Sequence, residues 1–351
     1  MNSNKEIPWI HFIRVLACMM VVCLHVANTA DSYPKSDFTD AFIRGVWLLT
    51  RCCVPLFFMV TGFLILPYKN GDDIVVFYRK RIPRVFLPLL FWGGIYAFLP
   101  YFLGMYDSPM AISELMLCPI KAPTRIGGIL WYLFILIGIY LFIPFVSDRI
   151  YHSRRVFGAF IMFWLFTTMI PLVRDYYIHE NDILGRCHYL HEFDMLVNFS
   201  GYIGFLFLGF GIRKYGDLYS DFLILGHKVG KRIYGIILIL VLVVASYRHI
   251  LFEYFLTIGT VFYAFCVFML IKDFKIDTKS YFYKVLKSLS TMSFGVYLCH
   301  MLVLKCITER LFTAFSTEWH IQCLCMVLTF IISYVFVSIL SIIPFKKYLV
   351  G

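Results

Sequence analysis

Trp9-Ile10-His11-Phe12-Ile13-Arg14-Val15-Leu16-Ala17-Cys18-Met19-Met20-Val21-Val22-Cys23-Leu24-His25-Val26-Ala27 is a run of apolar residues interrupted by one arginine and two histidines. As a helix it is about long enough to cross the roughly 30 Å hydrocarbon core of a bilayer. Lipid disfavours an ionised side chain by about 2.5–3.5 kcal/mol at mid-depth, so the exceptions carry the information. Arg14 and His25 are eleven steps apart. At about 100° per step they return to one helix face, about 16 Å apart along the axis. The spacing predicts a polar stripe down one side of a membrane helix. A plainer account has Arg14 snorkelling to the inner headgroups and His25 capping the outer end.

The rest of the chain fits the same environment. Of 351 residues, 61% are hydrophobic, 15% are charged and 19% are aromatic, and the mean hydropathy is +0.79. Soluble domains run nearer 45–50% apolar and about 25% charged. A soluble core could not hide this much apolar surface. The composition therefore predicts an all-α polytopic membrane protein. Apolar runs near 20 residues place ten spans at 9–27, 46–67, 85–103, 129–147, 156–173, 199–213, 233–247, 254–271, 289–308 and 320–344. One membrane domain over 1–351 is expected, with no soluble domain.

The net charge of +11 would suggest nucleic acid in a soluble protein. Here the bases sort by loop instead. With both termini cytoplasmic, twenty-one Lys and Arg fall in inner segments and nine in outer ones. That asymmetry predicts the orientation, and no nucleic-acid partner. The first span lacks a basic leader and a small-residue cleavage site, so it is not read as a signal peptide. Among the eleven cysteines, those within spans read as small buried hydrophobes, and no pattern predicts a zinc site. Cys118 and Cys187 lie in predicted outer loops, where they either pair or remain two free thiols.

Three further places carry unusual polarity. Arg51 precedes Cys52-Cys53-Val54-Pro55-Leu56-Phe57-Phe58-Met59-Val60-Thr61-Gly62-Phe63 and is predicted near the depth of His25. Pro55 would free a backbone carbonyl in mid-helix, which points to an interior helix beside a cavity, and Thr61-Gly62 allows close helix contact. His300 is predicted near the middle of the ninth span, as a hydrogen-bonded core histidine or a second cavity residue. Arg79-Lys80-Arg81-Ile82-Pro83-Arg84 leads into the third span. Its spacing alone favours anionic lipid headgroups, while Arg81 and Arg84 would also suit a phosphorylated ligand.

Taken together, five features match one family in order. They are Arg14 with His25, Val54 to Phe63, Arg81 with Arg84, Leu130-Trp131-Tyr132-Leu133, and Ser293-Phe294-Gly295-Val296-Tyr297-Leu298-Cys299-His300. The set resembles the membrane-bound acyltransferase-3 family over nearly the whole chain. It is most similar to the short form, like the enterobacterial common antigen O-acetyltransferase. The resemblance implies a multi-pass protein of the bacterial inner (plasma) membrane that moves an acyl group, usually acetyl, from acyl-coenzyme A to a glycan or lipid. It implies His25 as the essential catalytic histidine, with Arg14, Arg81 and Arg84 as donor-binding residues. Relatives usually carry Asp and Gly where this chain has His11 and Val15.

Acyl transfer to a hydroxyl needs a proton acceptor, and histidine titrates near working pH. His25 is the expected base, with an acyl-imidazole carrier role as the alternative. Arg51 is the expected oxyanion donor. His300 and Trp131 are expected to line the cavity. The donor, acetyl-CoA, is a co-substrate and not a resident cofactor, and no metal is expected. The acceptor is expected to be a surface polysaccharide or its lipid-linked precursor, reached by a long donor arm threading between the first three spans. A rival reading is a transporter or flippase for a lipid-linked glycan, using the same cavity without covalent chemistry.

Overall fold

The computed structural model describes residues 6–68, 73–104, 107, 126–181, 194–222, 226–247, 257–272, 274–343 and 349; among them there is no strand. Cys118 and Cys187 lie outside the described residues. In chain order the helices are α1 Pro8–Asp31, α2 Asp37–Thr50, α3 Cys53–Ile65, α4 Ile74–Arg81, α5 Pro83–Phe102, α6 Trp131–Phe142 and α7 Asp148–His152. Then come α8 Arg154–Asn181, α9 Asp194–Phe222, α10 Gly226–Tyr247, α11 Ile258–Ile271, α12 Tyr281–Val303, α13 Glu309–Ala314 and α14 Trp319–Leu340.

Six helical stretches among the described residues are long and apolar enough to cross a membrane. They are Pro8–Asp31, Asp37–Ile65, Ile74–Phe102, Gly128–Phe145, Tyr281–Ala314 and Trp319–Leu340, with shorter apolar helices at Arg232–Val243 and Ile258–Ile271. The remaining expected spans, 156–173 and 199–213, fall on α8 and α9.

α14 shows directly which solvent the protein is built for. Its buried positions include Gln322, Cys325, Thr329 and Ser333, each 0% exposed, while Leu324, Val327 and Ile331 are about half exposed (48%, 55% and 50%). In water that polarity would be reversed. An outward stripe of aliphatic side chains over an inward polar stripe is the arrangement a lipid-facing helix requires. Thr329 donates inward to the Thr308 hydroxyl at 3.0 Å, which satisfies the buried group where lipid offers no partner.

The chain divides into two compact units, Met1–Leu64 with Phe205–Tyr334, and Ile65–Gly204 with Val335–Gly351. In the first unit, α1 and α12 run side by side in the same direction. The Lys287 ammonium and the Tyr283 hydroxyl donate to Glu6, His11 meets Ser290, the Cys18 thiol donates to the Ser293 carbonyl, and the Tyr33 hydroxyl donates to Glu309. Each step up one helix is a step up the other. His11, Cys18 and His25 are seven residues apart, the repeat that keeps one face of a helix on a parallel partner. Parallel neighbours that both cross the bilayer need an odd number of crossings between them. The ten-span order places seven between these two.

The second expected span departs from its reading. It is not one helix with a proline in the middle. The helix stops at Thr50, Arg51 and Cys52 form a turn, and α3 restarts at Cys53. Pro55 therefore sits in a first turn, where its missing N–H costs no intrahelical bond. Breaking the helix strands carbonyls at the end of α2, and the Tyr263 hydroxyl donates to that of Leu49 at 2.7 Å. Further along, Gly62 meets the Leu206 backbone and Gly209 meets the Met59 backbone. A Cβ on either glycine would overlap the opposing carbonyl, so α3 and α9 pack at backbone distance because these two positions have no side chain.

In the second unit, Ile82 both closes α4 and opens α5: its N–H reaches the Tyr78 carbonyl at 2.9 Å, and its own carbonyl accepts from Phe86 at 2.8 Å. Pro83 occupies the first turn of α5, the position that tolerates proline best. The Tyr78 hydroxyl donates to Leu141 at the end of α6 at 2.8 Å, and Trp164 donates to Gly201 at 2.7 Å.

Candidate active site

α1 carries the two residues of the predicted stripe on one uninterrupted helix. Pro8 starts it without loss of a bond, and it ends at Asp31, with the Ser32 N–H returned to Thr29. His25 is six residues short of that end, so it does not cap the helix. Its side chain is half-buried, as is that of Arg14 near the other end.

What stands beside His25 is His300. The two imidazole rings have centroids 5.1 Å apart and planes inclined by 44°. The parallel seam between α1 and α12 brings them together, because His300 follows Ser290 and Ser293 up the same face. His300 is 0% exposed. It lies in the last turn of α12, near the middle of the membrane-crossing stretch Tyr281–Ala314 and just before a π-turn at Leu304–Thr308. Such insertions widen a helix locally and recur at functional sites. The His300 Nδ1 is 2.6 Å from the Tyr297 carbonyl. Its Nε2 is buried with no hydrogen-bond partner among the described residues.

Of the other expected residues, Arg51 is half-buried at the turn between α2 and α3, flanked by the fully buried Cys52 and Cys53. Arg81, Arg84 and Trp131 belong to the second unit. There Arg81 ends α4 and Arg84 is the second residue of α5, so the pair brackets the Ile82-Pro83 junction. Arg84 is exposed and Arg81 half-buried. Basic side chains at the end of α4 also complement the partial negative charge of its carbonyls. Trp131 opens α6, with its ring 5.5 Å from that of Tyr202. Among the described residues no cluster of His, Cys, Asp or Glu could hold a metal ion.

Two contributors were not singled out from sequence. Ser290 receives His11, the residue standing where relatives usually have Asp, at 2.9 Å. The Tyr297 carbonyl fixes one edge of His300. The signal for both was present in the seven-residue spacing of His11, Cys18 and His25 opposite Ser290, Ser293 and His300, which only a parallel pairing of the two spans makes meaningful.

Helices long and apolar enough to cross a membrane, with an imidazole pair packed between α1 and α12, define a multi-pass membrane protein with a candidate site for proton transfer. The chain belongs to the acyltransferase family whose model, described as an acyltransferase domain (Acyl_transf_3), matches residues 7–338. It is a membrane acyltransferase. No curated protein and no solved structure matches it.

Proposed function

We propose that the protein transfers an acetyl group from acetyl-CoA to a hydroxyl of a bacterial surface polysaccharide or its lipid-linked precursor, at the inner membrane, with His25 as the base. The observation that carries this reading is His25, a half-buried residue set in a membrane helix with its ring against that of a wholly buried second histidine. An imidazole there can accept a proton at one nitrogen while donating at the other.

In the proposed step the acceptor hydroxyl attacks the thioester carbonyl as its proton passes to His25. The carbon–oxygen bond forms, the carbon–sulfur bond breaks, and coenzyme A leaves as the thiol after taking the proton back from His25. Arg51 stabilises the oxyanion. Arg14, Arg81 and Arg84 hold the donor, guanidinium groups being suited to its phosphates. The acceptor class, a surface polysaccharide or its lipid-linked precursor, follows from the sequence resemblance to the enterobacterial common antigen O-acetyltransferase type.

Purified protein in lipid nanodiscs, supplied with acetyl-CoA, tests this. Release of coenzyme A that is lost in His25→Asn supports the enzyme. Movement of a lipid-linked glycan across the bilayer without thioester turnover would replace it with the transporter.

A further inference from the structure

His25 and His300 touch, but they differ in what they can reach. His25 is half-buried and His300 is 0% exposed, so a reactant meets His25 first. The polar edge of His300 is also decided. A carbonyl oxygen can only accept, so the His300 Nδ1, 2.6 Å from the Tyr297 carbonyl, must be the nitrogen that carries the proton. The Nε2 is then a bare lone pair. It is buried, and no described residue donates to it.

A buried acceptor without a donor is costly. The neighbouring ring is His25, and centroids 5.1 Å apart suit two imidazoles sharing an N–H···N bond of about 3 Å once their edges face. We propose that His300 is a positioning residue: its Nε2 accepts the N–H of His25 and so turns the other His25 nitrogen, as a free lone pair, toward the reacting hydroxyl. This rests on His25 being the base.

The proton balance is simple. The hydroxyl proton goes to the free nitrogen of His25 as the ester bond forms, while the N–H on the far side stays bonded to His300. His25 is then an imidazolium, and its bond to His300 becomes charge-assisted and stronger. The departing thiolate removes the first proton and restores the starting pair. His300 thus acts as the third group of a nucleophile–base–orienter set, with a neutral imidazole in the place more often filled by a carboxylate.

Three substitutions at one position separate this from a packing role. In His300→Gln the amide oxygen falls near Nε2 and can still accept from His25. In His300→Asn the amide nitrogen falls near Nδ1, so the Tyr297 bond survives while the acceptor toward His25 is lost. His300→Phe keeps the ring and loses both. Acetyl-CoA hydrolysis, with water as the hydroxyl, is measured for each in nanodiscs, with kcat and KM determined separately.

The proposal expects Asn and Phe to lose kcat by roughly ten- to a hundredfold at nearly unchanged KM, and Gln to recover most of it. Asn more active than Gln, or the two equal at any level, overturns it; that comparison stands even if the Phe variant fails to fold. Full activity in His25→Asn, run alongside, removes the base assignment instead. The two failures are therefore told apart.

Discussion

His11 Nδ1 and the Ser290 hydroxyl lie 2.9 Å apart, joining the N-terminal part of α1 to α12 two turns after the Glu6–Tyr283 contact at 2.7 Å. This bond sets the register in which His25 meets His300. Moving along α1 from His11 to Cys18 to His25 passes, on the other helix, from Ser290 to Ser293 to His300. A parallel seam of this kind transmits register over its whole length, since the packed helices are stiff. The residue that replaces the usual Asp of relatives is therefore employed in docking α1, well away from the imidazole pair.

The base assignment predicts that His25→Asn retains polarity but loses transfer by about 10²–10⁴-fold, as His25→Ala does. Coenzyme A release from acetyl-CoA measures it, with membrane insertion checked by protein yield. Wild-type turnover in His25→Asn would remove His25 from the chemistry.

Donor binding is expected to depend on the α4–α5 junction. Arg81→Ala and Arg84→Ala should each weaken acetyl-CoA binding by roughly tenfold or more, the worth of one charge-assisted phosphate contact. Titration calorimetry on the purified variants reads the change directly. Unaltered affinity in both returns the pair to lipid headgroups and to the carbonyls at the end of α4.

Two glycines in one unit should respond oppositely to alanine. At Gly62 a Cβ overlaps the Leu206 carbonyl, so Gly62→Ala should cost about 1–3 kcal/mol, the range for overpacking. At Gly45, inside α2, a Cβ meets nothing within 4 Å, so alanine should be neutral or stabilise by about 0.4–1 kcal/mol through the unfolded chain. Thermal unfolding in detergent separates them. A destabilised Gly45→Ala beside an unaffected Gly62→Ala would contradict the packing described for α3 and α9.

Glu318 gives a pH prediction. Its carboxylate accepts from Thr39 and from the Ser36 hydroxyl, and these bonds hold it below the usual carboxylate range. A depressed value in the folded state means that the stabilisation is complete above the ordinary carboxylate range, near 4.3, and is lost as pH falls through the folded value. Glu318→Gln should lower the melting temperature at neutral pH and flatten its decline on acidification below about pH 4.3. An unchanged acid profile would show that the carboxylate contributes nothing to joining α2 to the start of α14.

Charge asymmetry predicts sides. Single cysteines between 182 and 193 should label from outside, and those between 274 and 280 from the cytoplasm. Both sets labelling from one side would remove the ten-span order.

Composition and periodicity by themselves determined that this is a helical membrane protein and where most of its helices run. A lipid environment requires long apolar helices, and that requirement is written residue by residue. The polar exceptions His25, Arg14 and His300 were legible for the same reason: lipid makes them expensive enough to notice. Which of them meet was not legible. The 275-residue separation of His25 and His300 is closed only when α1 and α12 pack in parallel, a pairing fixed by side chains distant in sequence such as His11 and Ser290. The break at Arg51 was likewise hidden. A proline after an apolar run reads equally as a kink or as a first turn, and the tertiary partner, the Tyr263 hydroxyl on Leu49, helps make ending α2 there inexpensive. Local sequence specifies each helix through its own hydrogen bonds and its solvent. The seam that brings two histidines together is a property of packing between helices, and it exists only once they have met.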